Sequence, residues 1–294
     1  MYAKKTKILP NGETLSYIEK GAGDNYLILI HGNSSSSVFF SPFLDRISTK
    51  YHVIAPDLRG FGDSSYKSKI TTLKEFADDI NLLMNELEIK KAAVLGWSLG
   101  GGVAMEFAIN YPLSTRKLIL INSTPYNGYP IFKKDVDGKP LVGEVYETMD
   151  EMALDPIQVL PMVNILKNKD FATLEYIYNL TIYTQRKPSK ENNEYWLSDA
   201  LKQRNIVECD WALAVLNLSN TPNSYGLGNG NISKINVQTL ITCGEHDIIV
   251  PEAFATENYK AIKNSQFIKY SSCGHSPFVD CPDQLTKDIE EFLN

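Results

Sequence analysis

A chain of 294 residues with 43% hydrophobic and 22% charged residues has the makeup of a globular, enzyme-sized protein, either one large domain with an insertion or two smaller ones. A formal net charge of −6, without any cluster of Lys and Arg, excludes a nucleic-acid partner that would have to be held through its phosphates. No apolar run approaches the ~20 residues of a bilayer span, and Met1 to Pro10 contains no apolar signal block, so a cytoplasmic protein without a membrane partner is expected.

In chain order, Lys5–Leu9 and Thr14–Glu19 read as an antiparallel hairpin. Its turn is Pro10-Asn11-Gly12, where Asn-Gly offers the positive backbone dihedrals of a tight turn. Tyr26–Ile30, His52–Ala55, Lys91–Leu95 and Lys117–Ile121 are continuous apolar runs, as expected of strands buried on both faces. Between them, Thr72–Leu87 spaces Leu73, Phe76, Ile80, Leu83, Met84 and Leu87 at three- and four-residue intervals, one stripe of an amphipathic helix. Leu99–Asn110 is a second helix, stopped by Tyr111-Pro112. Strands alternating with helices build a mostly parallel sheet covered on both sides.

After Asn122, about 100 residues pass before Val237–Cys243 resumes the strand pattern, far too many for a structureless loop. The segment reads as helices at Met149–Leu166, Phe171–Tyr183, Glu191–Leu201 and Trp211–Leu218, with a Gly/Asn-rich exit at Asn220–Asn231. A helix at Pro251–Ile262, a strand at Gln266–Ser271 and a helix at Pro282–Leu293 close the chain. Cys209, Cys243, Cys273 and Cys281 form no CxxC pair and no metal-type spacing with histidine, so they read as free thiols, Cys273 as a small buried residue, and no metal is expected.

The chemistry is concentrated in a few short stretches. Gly96-Trp97-Ser98-Leu99-Gly100 follows a strand and opens a helix, and glycines either side of a serine let a sharp strand-to-helix turn lift its hydroxyl clear of the sheet. Such a hydroxyl attacks only when a base removes its proton, which calls for a histidine and a carboxylate elsewhere. Of four histidines, His275 lies in a loop just past the last strand and suits the base. Asp247 and Glu245, in the loop after Val237–Cys243, are the rival acids. Backbone N–H groups of Asn33, after the third strand, and of Leu99, after the serine, are placed to hold an oxyanion, with Gly32 permitting the bend and His31 bracing it. Trp97 and Phe39 are candidates for lining the substrate entrance, or equally for ordinary packing.

His31-Gly32-Asn33, Asp57 to Ser64, Gly96 to Gly101, Gly244 to Asp247 and Gly274-His275 together resemble, in order, the landmarks of the α/β-hydrolase fold superfamily over nearly the whole chain. That resemblance implies an α/β fold with an eight-stranded, mostly parallel sheet and a helical cap inserted after the sixth strand. It divides the chain into a core of residues 1–123 and 232–294 and a cap of 124–231. It also implies Ser98 as nucleophile, His275 as base and, in preference to Glu245, Asp247 as the acid, with Asp57 to Ser64 as a structural loop; Asn122 and Ser123 offer no acid after the earlier strand. The stretch from His31 to Ser36 resembles haloalkane dehalogenases too, but these use an aspartate nucleophile, which this chain lacks at position 98.

The expected reaction is cleavage of a small-molecule carboxylic ester through an acyl-enzyme, without cofactor. The same three residues serve lactonases, carbon–carbon bond hydrolases, thioesterases and acyltransferases, and a slow-turnover ligand sensor would also retain them. Oligomeric state is not legible.

Overall fold

The computed structural model describes residues 1–294. Strands β1 (Lys4–Ile8) and β2 (Thr14–Lys20) pair antiparallel, and the turn between them differs from the Asn-Gly expectation. Only Gly12 takes a positive φ, +87°, while Leu9 N donates to Glu13 O at 2.8 Å and Gly12 N to Leu9 O at 2.9 Å. The ring of Pro10 holds φ negative at the first corner, which rules out the primed turn and leaves a three-residue loop.

Strands β3 (Tyr26–Ile30), β4 (His52–Pro56), β5 (Ala92–Trp97) and β6 (Thr115–Ile121) follow. Helix α1 (Ser41–Leu44) lies between β3 and β4, α2 (Leu73–Glu86) between β4 and β5, and α3 (Leu99–Asn110) between β5 and β6. A capping box in which Thr72 and Glu75 satisfy each other's backbone N–H starts α2.

The 117 residues from Asn122 to Gln238 hold a β-hairpin as well as helices. Strands β7 (Phe132–Lys134) and β8 (Pro140–Val145) form a two-stranded sheet of their own, turned at Asp137-Gly138 with Gly138 at φ +79°. That Asp-Gly pair was the available signal for it. Five helices come next: α4 (Met149–Met152), α5 (Val159–Asn168), α6 (Phe171–Thr181), α7 (Lys190–Ala200) and α8 (Ile206–Val215). The single helix expected over Met149–Leu166 is broken at Asp155-Pro156, because the residue before a proline is pushed out of helical geometry. The Asp155 carboxylate then accepts the N–H groups of Ile157 (3.0 Å) and Gln158 (2.5 Å) and pairs with Lys134 (2.8 Å), tying α5 to the hairpin.

The chain ends with β9 (Thr239–Gly244), α9 (Glu252–Ala261), β10 (Ser265–Tyr270), α10 (Pro277–Asp280) and α11 (Pro282–Leu293). The main sheet runs β1-β2-β4-β3-β5-β6-β9-β10, parallel from β4 onward. Successive residues of its central strands enter opposite cores. Ile28, Ile30, Val94, Leu118, Leu120 and Ile241 pack under α2, α3 and α9, while Leu27, Leu29, Leu95, Ile119, Ile121 and Leu240 pack under α1 and α11. At ~25 cal/mol per Å², these fully buried aliphatic side chains are the main stabilising term. None of the helices is long and apolar enough to cross a membrane.

The segment after β6 is fastened back to the sheet by buried polar contacts. Asp199 on α7 accepts from Lys4 on β1 (2.7 Å) and from Ser36 (2.5 Å), and Asn205 donates to Arg59 O (2.8 Å). Asp57, in the loop after β4, takes Lys4 on one oxygen (2.8 Å) and Ser37 N and Oγ on the other (2.9 and 2.6 Å). That loop is a structural clamp.

Candidate active site

In a parallel sheet every strand delivers its following loop to the same edge, so residues distant in sequence gather at the carboxyl ends of the strands. Here β3, β5, β6, β9 and β10 deliver Asn33, Ser98, Asn122, Asp247 and His275.

Ser98 sits at φ +56°, ψ −122°, a backbone conformation that costs a non-glycine residue of order 1–3 kcal/mol and persists only where its surroundings over-determine it. The constraint comes from three sides. Ser98 N donates to Ile121 O at 3.1 Å, and Ser98 O accepts from Gly101 N (2.9 Å) and Thr124 N (3.1 Å). Close approach of α3 to the sheet needs glycine, since a Cβ on Gly96 would collide with Gly100 O and one on Gly100 with Ile30 O.

His275 and Asp247 meet. His275 Nδ1 lies 2.8 Å from Asp247 Oδ2, and both side chains are almost wholly buried. The other oxygen, Oδ1, accepts the N–H groups of Ile249 and Val250, each at 2.9 Å. Burial by itself would raise the Asp247 carboxyl, but the imidazole, the Val250 N–H and the Asn122 amide outweigh it and hold the pKa below the ordinary aspartate value. Since Asp247 accepts at Nδ1, the proton resides there and Nε2 presents its lone pair. Nε2 has no hydrogen-bond partner within the protein. Glu245 is 41% exposed and pairs with Lys269 at 3.4 Å, away from the imidazole.

Asn122 is the residue whose part the sequence concealed. Its Nδ2 donates to Asp247 Oδ2 (2.7 Å) and to Gly274 O (2.9 Å), bracing the carboxylate and the histidine loop together. It does so from φ +42°, in the left-handed region that asparagine tolerates better than most residues. A strand-end asparagine carries no sequence signal for this.

Asn33, Ser98, Leu99 and His275 all line one cavity of about 240 Å³. The backbone N–H groups of Asn33 and Leu99 donate to nothing in the protein, Leu99 because it opens α3. His31 braces the turn as expected, bonded through Nδ1 to Gly32 O (2.8 Å) while Nε2 accepts from Leu58 N (3.0 Å). The roof of the cavity comes from the segment after β6: Gln158, Met162 on α5, Ile177, Tyr178 and Thr181 on α6, and Ile206, Asp210 and Leu213 on α8.

Trp97 and Phe39 lie outside the lining. Each is 2% exposed. Trp97 packs against the His275 ring at a tilt of 38° (centroids 5.6 Å apart) and donates from Nε1 to His275 O at 2.9 Å, while Phe39 packs against Trp97, Tyr178 and Trp196. Trp97 alternates onto the core face of β5, so it steadies the histidine loop from behind. Cys273 is fully buried, and the neighbouring Cys281 together with desolvation pushes its thiol well above the ordinary cysteine value.

The succession of these loops along the sheet is that of the alpha/beta hydrolase fold, and the chain belongs to that family, which it matches over residues 25–282. It is 35% identical over 120 residues to the pimeloyl-[acyl-carrier protein] methyl ester esterase of Proteus mirabilis, a stretch covering 40% of this chain and 44% of that one. The esterase from Exiguobacterium antarcticum superposes with a TM-score of 0.74 at 21% identity, covering 99% of both chains. The enol-lactonase from Burkholderia xenovorans LB400 gives 0.74 at 17% identity, covering 98% of this chain and 99% of that one. Hydrolase chemistry is the common ground of these relatives.

Proposed function

We propose that this hydrolase cleaves a carboxylic ester of a small molecule through an acyl-enzyme on Ser98. His275 takes the hydroxyl proton at Nε2 as the oxygen attacks the carbonyl. Asp247 holds the imidazole in the tautomer that makes this possible and stabilises the imidazolium that follows. The Asn33 and Leu99 amides receive the developing oxyanion, the alcohol leaves with the proton from His275, and water then releases the acid. Residues 124–231 act as a cap that excludes bulk water from the step, within a core of 1–123 and 232–294.

The observation that carries this reading is the His275–Asp247 hydrogen bond of 2.8 Å, behind a cavity where the strained serine and two unpartnered backbone N–H groups converge. Free buried thiols at Cys209, Cys243 and Cys273 support the reducing cytoplasm as its place of action.

Turnover of p-nitrophenyl butyrate by the wild type beside Ser98→Ala tests it. Sustained turnover, lost by 10³-fold or more in Ser98→Ala, is expected. Full activity in the variant would overturn the assignment of the nucleophile, and a single slow burst without further turnover would point to a ligand sensor. Lactones, thioesters and vinylogous diketones in the same assay, and added alcohols as acyl acceptors, separate the ester from the other bonds this constellation can break or make.

A further inference from the structure

The cavity beside Ser98 is lined mainly by apolar side chains, and neither lysine nor arginine reaches it. Among its lining residues one is an acid, Asp210 on α8, held across from the sheet edge. The Asp210 carboxylate forms no ion pair with any side chain of the protein. Its single hydrogen bond comes from the Asn33 side chain, Nδ2 to Oδ1 at 2.9 Å. That amide cannot turn over, because Asn33 Oδ1 already accepts from Gln203 Nε2 (2.8 Å) and Ser34 N (3.0 Å). Asp210 Oδ2 therefore has no partner within the protein and is free for a ligand. A carboxyl group in such surroundings is expensive to ionise, and desolvation pushes it up to about 7 despite the Asn33 hydrogen bond.

The one hydrogen bond from Asn33 does not offset the cost of burying an acid without a counter-charge, and an apolar residue of similar volume would fill the place without that cost. The value of Asp210 lies in what it does to a ligand. Apart from His275, which is already paired with Asp247, no side chain lining the cavity can carry a positive charge, so the group that neutralises the Asp210 carboxylate has to arrive with the substrate. A neutral hydroxyl would satisfy one lone pair but leave the charge uncompensated; a protonated amine does both. A substrate carboxylate would meet a like charge and find no lysine or arginine to receive it.

We infer that Asp210 is a recognition group for a protonated amine, so that the substrate is a small ester carrying an amino group and carboxylate-bearing esters are rejected. This rests on the ester-hydrolase reading and deepens it. Because Asp210 holds the side chain of Asn33, whose backbone N–H faces the reacting carbonyl, amine and carbonyl are gripped by adjoining groups. A cavity of about 240 Å³, below the range usual for drug-sized ligands, leaves room for a spacer of only a few atoms between them.

Matched esters test the inference. 2-(Dimethylamino)ethyl butyrate and 3-methylbutyl butyrate have the same shape and differ in one protonated nitrogen; 3-(butyryloxy)propanoate carries the opposite charge. Acid release is followed in a pH-stat near pH 7.5, where the amine is largely protonated and Asp210 largely ionised. The wild type should favour the amino ester over its isostere by at least about tenfold in kcat/KM, with the carboxylate ester slowest of the three. In Asp210→Asn, which keeps an oxygen for Asn33 Nδ2, the amino-to-alkyl ratio should fall to within about threefold of unity. A wild-type ratio near unity, or one unchanged by the substitution, would overturn the inference while leaving hydrolysis of the plain ester intact.

Calorimetric titration of Ser98→Ala with the same pair reads the amine preference without turnover, and about tenfold tighter binding of the amino ester is expected. If no ester is hydrolysed by the wild type but this preference is seen, the hydrolase reading fails and the amine site stands. Equal binding of the two esters would overturn the amine site.

Discussion

Replacing Asp247 by asparagine changes one atom, and the structure says which interaction that atom destroys. Oδ1 accepts two backbone N–H groups, from Ile249 and Val250 at 2.9 Å each, so the amide oxygen of the variant must occupy that position. Its NH₂ then takes the place of Oδ2, which lies 2.7 Å from Asn122 Nδ2 and 2.8 Å from His275 Nδ1. Both of those nitrogens are donors in the wild type. To relieve the conflict the imidazole shifts its proton to Nε2, the nitrogen that has to accept the serine proton. A histidine locked in the wrong tautomer costs about 10⁴ in kcat, equivalent to roughly 5 kcal/mol of transition-state stabilisation. The opposed donors at Asn122 should cost a further 1–3 kcal/mol or so of stability, a fall in Tm of about 2–4 °C per kcal/mol in a chain of this size. Steady-state turnover of p-nitrophenyl butyrate, at a temperature where calorimetry shows the variant folded, is the assay. Glu245→Gln is the control; exposed and paired with Lys269, it should change kcat by no more than about twofold. An Asp247→Asn enzyme within tenfold of wild-type kcat, or a larger loss in Glu245→Gln, would refute the geometric argument.

Three further expectations follow from other contacts. Gly100→Ala drives a Cβ into the Ile30 carbonyl oxygen, backbone against backbone, and should cost about 3 kcal/mol or more; a soluble variant with unchanged Tm would show that α3 can move off β3. Asn122→Gly relieves the positive φ but strips the donors from Asp247 Oδ2 and Gly274 O, so kcat should fall about 10- to 100-fold with little change in KM, and a KM effect alone would contradict its positioning role. For Asp210→Asn the sign follows from a folded-state pKa of about 7 against an ordinary 3.8. As pH rises from about 4 to 7 the unfolded chain sheds this proton first, so the wild type loses stability over that window. The variant should therefore be more stable than the wild type above pH 7, by on the order of 4 kcal/mol for a shift of about three pKa units, with the gap closing towards pH 4; a gap independent of pH would mean that the carboxylate is already paired.

Much of the fold was legible because its signals are local. Tyr26–Ile30 and Leu99–Asn110 begin and end where their apolar pattern does, since a strand buried on both faces and a helix opening at a glycine turn are each written in consecutive residues. The expectation failed where one or two side chains overrode the pattern: Pro156 split one expected helix, and Asp137-Gly138 folded a hairpin ahead of Met149, where no element was expected. The site residues separate along the same line. Ser98, His275 and the Asp247/Glu245 pair stand in short motifs with glycines that the backbone requires, so the chain alone marks them as candidates. It does not mark Asn122 and Asp210, because an asparagine ending a strand and an aspartate inside a helix look like any others until their neighbours are known.

The amino-acid order by itself determined the alternation of strands and helices, the strained serine turn and the presence of a histidine and an acid in loops that a parallel sheet must deliver to one edge. Only tertiary packing decided which carboxylate meets the imidazole, that Trp97 and Phe39 brace the site from behind rather than line it, and that a lone acid from α8 lines the same cavity as the serine. The physical reason is range: backbone propensity and apolar periodicity act over a few residues, whereas hydrogen bonds such as Asn122 to Asp247 and Asn33 to Asp210 join positions 125 and 177 residues apart.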